Sequence, residues 1–212
     1  MSTVRLVLLS DTHSQHAQVA VPAGDVLIHA GDMTDHGELH VVRDLNDWLG
    51  ALPHAHKLVI AGNHDFCFER EPAASAALLT NATYLLDSGV TVAGLNFYGS
   101  PWQPWFYDWA FNLQRGPAIR AKWDFIPAGT DVLITHGPPA GHGDLTLQGD
   151  RAGCADLLDA LGRVRPRLHV FGHIHEGYGQ TQAGPTQCVN ASTCDVSYRA
   201  VNLPIVVDLT AP

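Results

Sequence analysis

An α/β fold is predicted by two observations: short apolar runs alternate with helical stretches through the first half of the chain, and five such runs stop abruptly at histidine, aspartate or asparagine. Residues 6–9 lead into Asp11-Thr12-His13, 26–28 into Gly31-Asp32, 58–60 into Gly62-Asn63-His64-Asp65, 132–134 into His136-Gly137, and 168–171 into Gly172-His173-Ile174-His175. Apolar runs of this length between turn residues read as strands buried on both faces. Alternation with helices argues for βαβ units and a mainly parallel sheet, so the five ends reach one sheet edge, where ligands of open α/β sheets bind.

The first strand is residues 4–9. It is too short to span a membrane and runs straight into Asp11, so its removal as a leader would take a candidate ligand with it; a cytoplasmic protein without membrane association is expected. Residues 38–52 form the clearest helix, with Val41, Leu45, Trp48 and Leu52 on one stripe and Arg43, Asp44 and Asp47 off it. Residues 72–79 and 117–123 each open with proline at a plausible first helical position, and 155–161 is a further short helix. Residues 91–99, broken by Gly94, read as a hairpin, and 186–190 with 205–209 as a late strand pair, the two together completing a second sheet. Residues 190–202 read as loop.

A length of 212 residues without linker, repeat or low-complexity tract predicts one domain over 1–212. The net charge of -9, with 12 Lys and Arg and no long basic cluster, argues against a groove that tracks a polynucleotide and favours a small phosphoester partner. Homo-oligomerisation is left open. Cys67, Cys154, Cys188 and Cys194 lack C-x-x-C spacing and fit reduced thiols.

If the five ends converge, they supply Asp11, Asp32, His13, His136, His173, His175 and Asn63, too many donors for one ion. A mixed nitrogen and oxygen set without thiolate suits Mn, Fe or Zn. Two ions sharing a carboxylate accommodate them. We assign Asp11, His13, Asp32 and His175 to the first and Asp32, Asn63, His136 and His173 to the second; a continued strand would place His173 and His175 on one face.

The ordered set Asp11-x-His13, Gly31-Asp32-x-x-Asp35, Gly62-Asn63-His64-Asp65, His136-Gly137 and Gly172-His173-x-His175 resembles the calcineurin-like metallophosphoesterases. Asn46-Asp47-Trp48-Leu49-Gly50, Leu79-Thr80-Asn81, Tyr98-Gly99-Ser100-Pro101-Trp102, Thr135-His136-Gly137-Pro138-Pro139 and Asn190-Ala191-Ser192-Thr193-Cys194 resemble its metallophosphoesterase-domain-containing subgroup, so the likeness covers nearly the whole chain. Some animal members carry Gly where His173 stands, which impairs their second site; this chain keeps the histidine.

The resemblance implies a four-layer α/β/β/α sandwich of two mixed sheets and two divalent metal ions, Mn²⁺ first with Fe or Zn as alternatives. It also implies hydrolysis of a small phosphodiester, such as a cyclic nucleotide or nucleotide derivative, by in-line attack of a metal-bridging hydroxide. Such ions lower the pKa of bound water from about 15.7 to about 7. A phosphomonoesterase, or a metal-binding scaffold with little turnover, are the alternatives. His64 follows a ligand directly and is free to assist the leaving oxygen; the resemblance makes Asp35 the carboxylate that orients it, with Asp65 as rival.

Of the other histidines, His16, His36, His40, His54, His56 and His142 are expected at the surface, and His29 and His169 as hydrogen-bonded core residues. The aperiodic cluster of Trp102, Trp105, Phe106, Tyr107, Trp109 and Phe111 is expected to pack under a loop, with a substrate-stacking lid as the alternative. Asn112 and Arg115 are weaker candidates for the phosphate, and Glu176 and Tyr178 for the pocket wall.

Overall fold

The computed structural model describes residues 2–211. In chain order the strands are β1 (Thr3–Leu9), β2 (Val26–His29), β3 (His56–Val59), β4 (Thr83–Tyr84), β5 (Ser88–Val92), β6 (Leu95–Ser100), β7 (Gln103–Pro104), β8 (Asn112–Leu113), β9 (Val132–Thr135), β10 (Leu168–Phe171), β11 (Gly179–Ala183), β12 (Thr186–Asn190) and β13 (Ile205–Thr210). The α-helices are α1 (Leu39–Ala51), α2 (Phe66–Arg70), α3 (Pro72–Leu78), α4 (Pro117–Trp123) and α5 (Ala155–Val164).

Two mixed sheets result, one ordered β13-β1-β2-β3-β4 and the other β11-β12-β10-β9-β6-β5. In the first, β1 to β4 are parallel and β13 joins β1 antiparallel; in the second, β6, β9, β10 and β12 are parallel, with β5 and β11 as antiparallel edges. The period of two along each strand then divides its side chains between two cores. Leu6, Leu8, Ile28 and Leu58 of the first sheet meet Phe97, Val132, Ile134 and Val170 of the second. On the outer faces, Val7, Leu9, Leu27 and Val59 pack against Val42, Leu45 and Leu49 of α1, while Leu133, Phe171 and Cys188 pack against Ile119 and Trp123 of α4 and Leu157 and Leu161 of α5. The layers are therefore α/β/β/α, and β2, β9 and β10, buried along their whole length, explain the unbroken apolar runs.

Three expectations shift. The helical stripe of α1 rotates, with Val42 and Leu49 buried while Trp48 and Leu52 pack at its margin. The two late strands do not pair: β12 lies between β10 and β11, whereas β13 crosses to the first sheet, where Ile205, Val207 and Leu209 point inward. His16 and His54 are buried rather than solvated, His54 Nε2 lying 3.0 Å from the Pro22 carbonyl and the His16 ring lying tilted against Trp48, 5.4 Å between centroids. His29 and His169 are core histidines as expected, bonded through Nε2 to Thr12 Oγ1 and Thr135 Oγ1. All four cysteines are unpaired and buried. Among the described residues no helix is long and apolar enough to cross a membrane.

Candidate metal centre

β1, β2 and β3 of one sheet and β9 and β10 of the other end at the same rim, which brings the seven candidate donors into one cleft. The turns that carry them are strained. Asp11, His13, Asp32 and His173 all have positive φ (52°, 41°, 55° and 68°), a region non-glycine residues rarely occupy and that accumulates at functional sites. Main-chain hydrogen bonds hold these turns together, from Asp11 N–H to the Gly31 carbonyl and from His13 N–H to the Asp32 carbonyl.

Donor atoms of Asp11, His13 and His175 lie within 4.8 Å of one another, as do those of Asp32, His136 and His173, and those of His13, Asp32 and His64. Asn63 Oδ1 approaches His136 Nε2 at 2.9 Å. Asp32 belongs to two of these groups, and its Oδ2 lies 3.3 Å from His136 Nε2 and 3.8 Å from His13 Nε2. The continued strand expected after β10 does not form; His173 turns into the left-handed region and His175 opens a short 3-10 helix, which sends the two rings to different donor groups.

The donor set fits divalent ions by its tautomers. His136 Nδ1 faces the Ala30 carbonyl at 2.9 Å and His175 Nδ1 the Asp195 carbonyl at 2.9 Å; a carbonyl only accepts, so both Nδ1 atoms carry the hydrogen and both Nε2 atoms point inward at the carboxylates. This is how metal-binding imidazoles are oriented. Asp11 is braced by the main-chain N–H of His173 and, from outside the cluster, by the Ser192 hydroxyl.

Burial pushes the carboxyls of Asp11 and Asp32 up, yet both lie below the usual range because His175 stands against the first and His136 against the second. The same contacts hold His136 and His175 up at about 9 against the opposing effect of burial, while burial pushes His173 down to about 3. Without ions, protons on His136 and His175 neutralise the two aspartates at pH 7. Metal uptake has to displace them, so affinity weakens as pH falls, and uptake near pH 7 releases close to two protons, measurable by titration calorimetry in buffers of different ionisation enthalpy.

Glycine precedes three of the ligand turns because nothing larger fits. A Cβ at Gly62 would fall on Asp32 Oδ1 and within 2.6 Å of His136 Cε1, and one at Gly172 on Asp11 Oδ2 and Ser10 Oγ. Gly172→Ala therefore displaces Asp11. The expected result is metal loss and activity down by more than about 100-fold for a stability cost of about 1–3 kcal/mol, read by metal analysis beside thermal unfolding.

His64 points its Nε2 toward the cluster, 4.0 Å from Asp32 Oδ2. Its orienting contact differs from expectation. Nδ1 lies 2.7 Å from the main-chain carbonyl of Asp35, while the Asp35 carboxylate accepts from Ser14 Oγ. Asp65 is not the partner either: buried, and pushed up to about 6 by burial and Asp32, it accepts from the N–H groups of Gly62, Met33 and Thr34 and from the Thr34 hydroxyl, joining the Asp32 and Asn63 turns.

Of the donors, Asp32, Asn63, His173 and His175 line a cavity of about 870 Å³, together with His64. Trp105, Phe106, Tyr107 and Trp109 line it, with Trp109 4.3 Å from the His64 ring and Phe106 5.1 Å from His173, whereas Trp102 and Phe111 go to the core. The packing expectation thus holds for only part of the aromatic cluster. Asn112 serves this loop through the Phe106 and Tyr107 carbonyls, and Tyr178 bonds the Leu203 carbonyl. Arg115 and Glu176 line the cavity. Tyr198 had no sequence signal: at φ 56°, clasped by the Asp195–Arg199 ion pair and by Gln15, it sets its ring 4.7 Å from His13.

Two mixed sheets meeting over paired aspartate and histidine donor sets define a metallophosphoesterase, a hydrolase of phosphoesters. The chain belongs to the calcineurin-like phosphoesterase family, whose model matches residues 4–177. Human Metallophosphoesterase domain-containing protein 1 is 51% identical, the match covering 98% of this chain and 72% of that protein. A UPF0046 protein of Caenorhabditis elegans is 42% identical over 99% of this chain and 82% of its own length. The crystal structure of TT1561 of Thermus thermophilus shares the fold at 12% identity, with a TM-score of 0.58 over 92% of this chain and 91% of that one.

Proposed function

We propose that this protein hydrolyses a small phosphodiester, a cyclic nucleotide or nucleotide derivative, using two divalent ions, with Mn²⁺ first and Fe or Zn as alternatives. Asp11, His13, Asp32 and His175 would hold one ion and Asp32, Asn63, His136 and His173 the other, and the observation that supports this best is that Asp32, in the donor group of His136 and His173, also lies 3.8 Å from His13 of the Asp11–His13–His175 group. Two such ions supply positive charge for the phosphate and activate water for in-line attack. The chain's own share is to hold the neutral imidazoles in register and to bring His64 Nε2 to the side from which the alcohol leaves. Once protonated, His64 donates from Nε2, because Nδ1 is committed to the Asp35 carbonyl. A diester is favoured over a monoester because the cavity extends well beyond the space one phosphate needs. A cytoplasmic setting fits the four free thiols.

The test is hydrolysis of bis(4-nitrophenyl) phosphate against 4-nitrophenyl phosphate, with Mn²⁺ and with chelator. Faster, chelator-sensitive diester cleavage is expected. Monoester preference would reverse the substrate order, and silence with both would leave a metal-binding scaffold.

A further inference from the structure

Beyond the metal donors, the charged side chains lining the cleft among the described residues are one cation, Arg115, and two carboxylates, Asp150 and Glu176. Arg115 lines it, but its two terminal nitrogens donate to the Gly153 and Ala152 carbonyls at 2.7 and 2.8 Å. Arg151, next along from the lining loop, is bound to buried Asp144, and Arg199, beside Tyr198, to Asp195. Two carboxylates line the same cleft. Glu176 accepts from the Leu147 N–H through one oxygen, and the Asp150 carboxylate has no hydrogen-bond partner among the described residues.

We infer that the cleft admits one phosphate and that Asp150 and Glu176 are specificity-determining residues that exclude a second. This rests on the nucleotide reading above. A single phosphate is neutralised at the metal floor. A second one, carried up into the cleft, would face two anions against the single guanidinium of Arg115, whose terminal nitrogens already hold two main-chain carbonyls, and rejection by unmatched like charge is a standard source of specificity. Sugar hydroxyls or an exocyclic amine, in contrast, donate to carboxylates, and a flat ring can lie on the Trp105 to Trp109 wall, since aromatic side chains stack on bases. The substrate class is therefore a monophosphate diester with a flat, hydroxyl- or amine-bearing group, as opposed to a bisphosphorylated nucleotide.

The experiment uses the Mn²⁺-loaded full chain and compares AMP with adenosine 3′,5′-bisphosphate. Whichever phosphate of the bisphosphate sits on the metals, the other enters the cleft. Binding is read by quenching of tryptophan fluorescence, Trp105 and Trp109 lining the site, and by competition against bis(4-nitrophenyl) phosphate. AMP is expected to bind at least about tenfold more tightly, and the ratio should shrink between about 0.05 M and about 0.5 M salt as exposed charges are screened. The double substitution Asp150→Asn, Glu176→Gln should lower the ratio several-fold. Equal or tighter binding of the bisphosphate, a ratio indifferent to both salt and substitution, or no binding of either nucleotide would overturn the inference. Loss of diester hydrolysis with the binding ratio intact would instead sink only the phosphodiesterase reading.

Discussion

His64→Ala should lower kcat on an alkyl or nucleoside phosphodiester by about 100- to 10,000-fold, the usual worth of a positioned proton donor, while metal content stays near wild type. The loss should be smaller on bis(4-nitrophenyl) phosphate, whose leaving phenolate needs little protonation. The split follows from geometry. Asn63 faces His136, so its neighbour His64 is turned aside, with Nδ1 fixed on the Asp35 carbonyl and the ring against Trp109. Because a main-chain atom does the orienting, Asp35→Asn should cost far less than His64→Ala. His64 also lies within reach of His13 and Asp32, and a metal-ligand role is the competing possibility. Metal analysis of His64→Ala separates the two: depletion of metal would move His64 into the ligand set.

Asp32→Asn should be the most damaging change of a ligand. Its carboxylate is 2% exposed and stands between His136 and His13, so neutralising it removes anionic charge from both donor groups together. Changes in groups that merely support a ligand cost about 10–100-fold in metal affinity, and a shared ligand should exceed that at both sites. Asn keeps an oxygen for the His64 N–H, which Asp32 Oδ1 accepts at 2.8 Å, so the fold should survive. The expected outcome is a folded chain with well under two ions and activity near background. Retention of two ions would mean that Asp32 does not bridge.

The parts of the fold legible in sequence were those where burial dictates composition. β2, β9 and β10 are buried from end to end, so their apolar runs and abrupt polar stops stand out. The hairpin was legible through Gly94, which with Ala93 supplies the two positive φ angles of its turn. β11, a polar, solvent-facing edge strand of sequence GQTQA, carries no such pattern. The partner of β13 was missed because pairing with β1 is set by the whole topology and leaves β13 reading only as a strand of alternating burial.

At the site, the candidate ligands were visible as strand-end side chains, and the structure brings all seven into one cleft. What pattern cannot reveal is work done by the main chain or by irregular loops. The Asp35 carbonyl behind His64 and the left-handed Tyr198 beside His13 leave no periodic trace. The pocket-lining part of the aromatic cluster was likewise unreadable, since packing and pocket-lining aromatics share one composition.

The most direct measurement is anomalous diffraction from crystals of the Mn²⁺-reconstituted protein. Two peaks per chain are expected, one among Asp11, His13 and His175, one among Asn63, His136 and His173, with Asp32 touching both. A single peak, or ions held elsewhere with these side chains still paired to one another, would contradict the two-metal account.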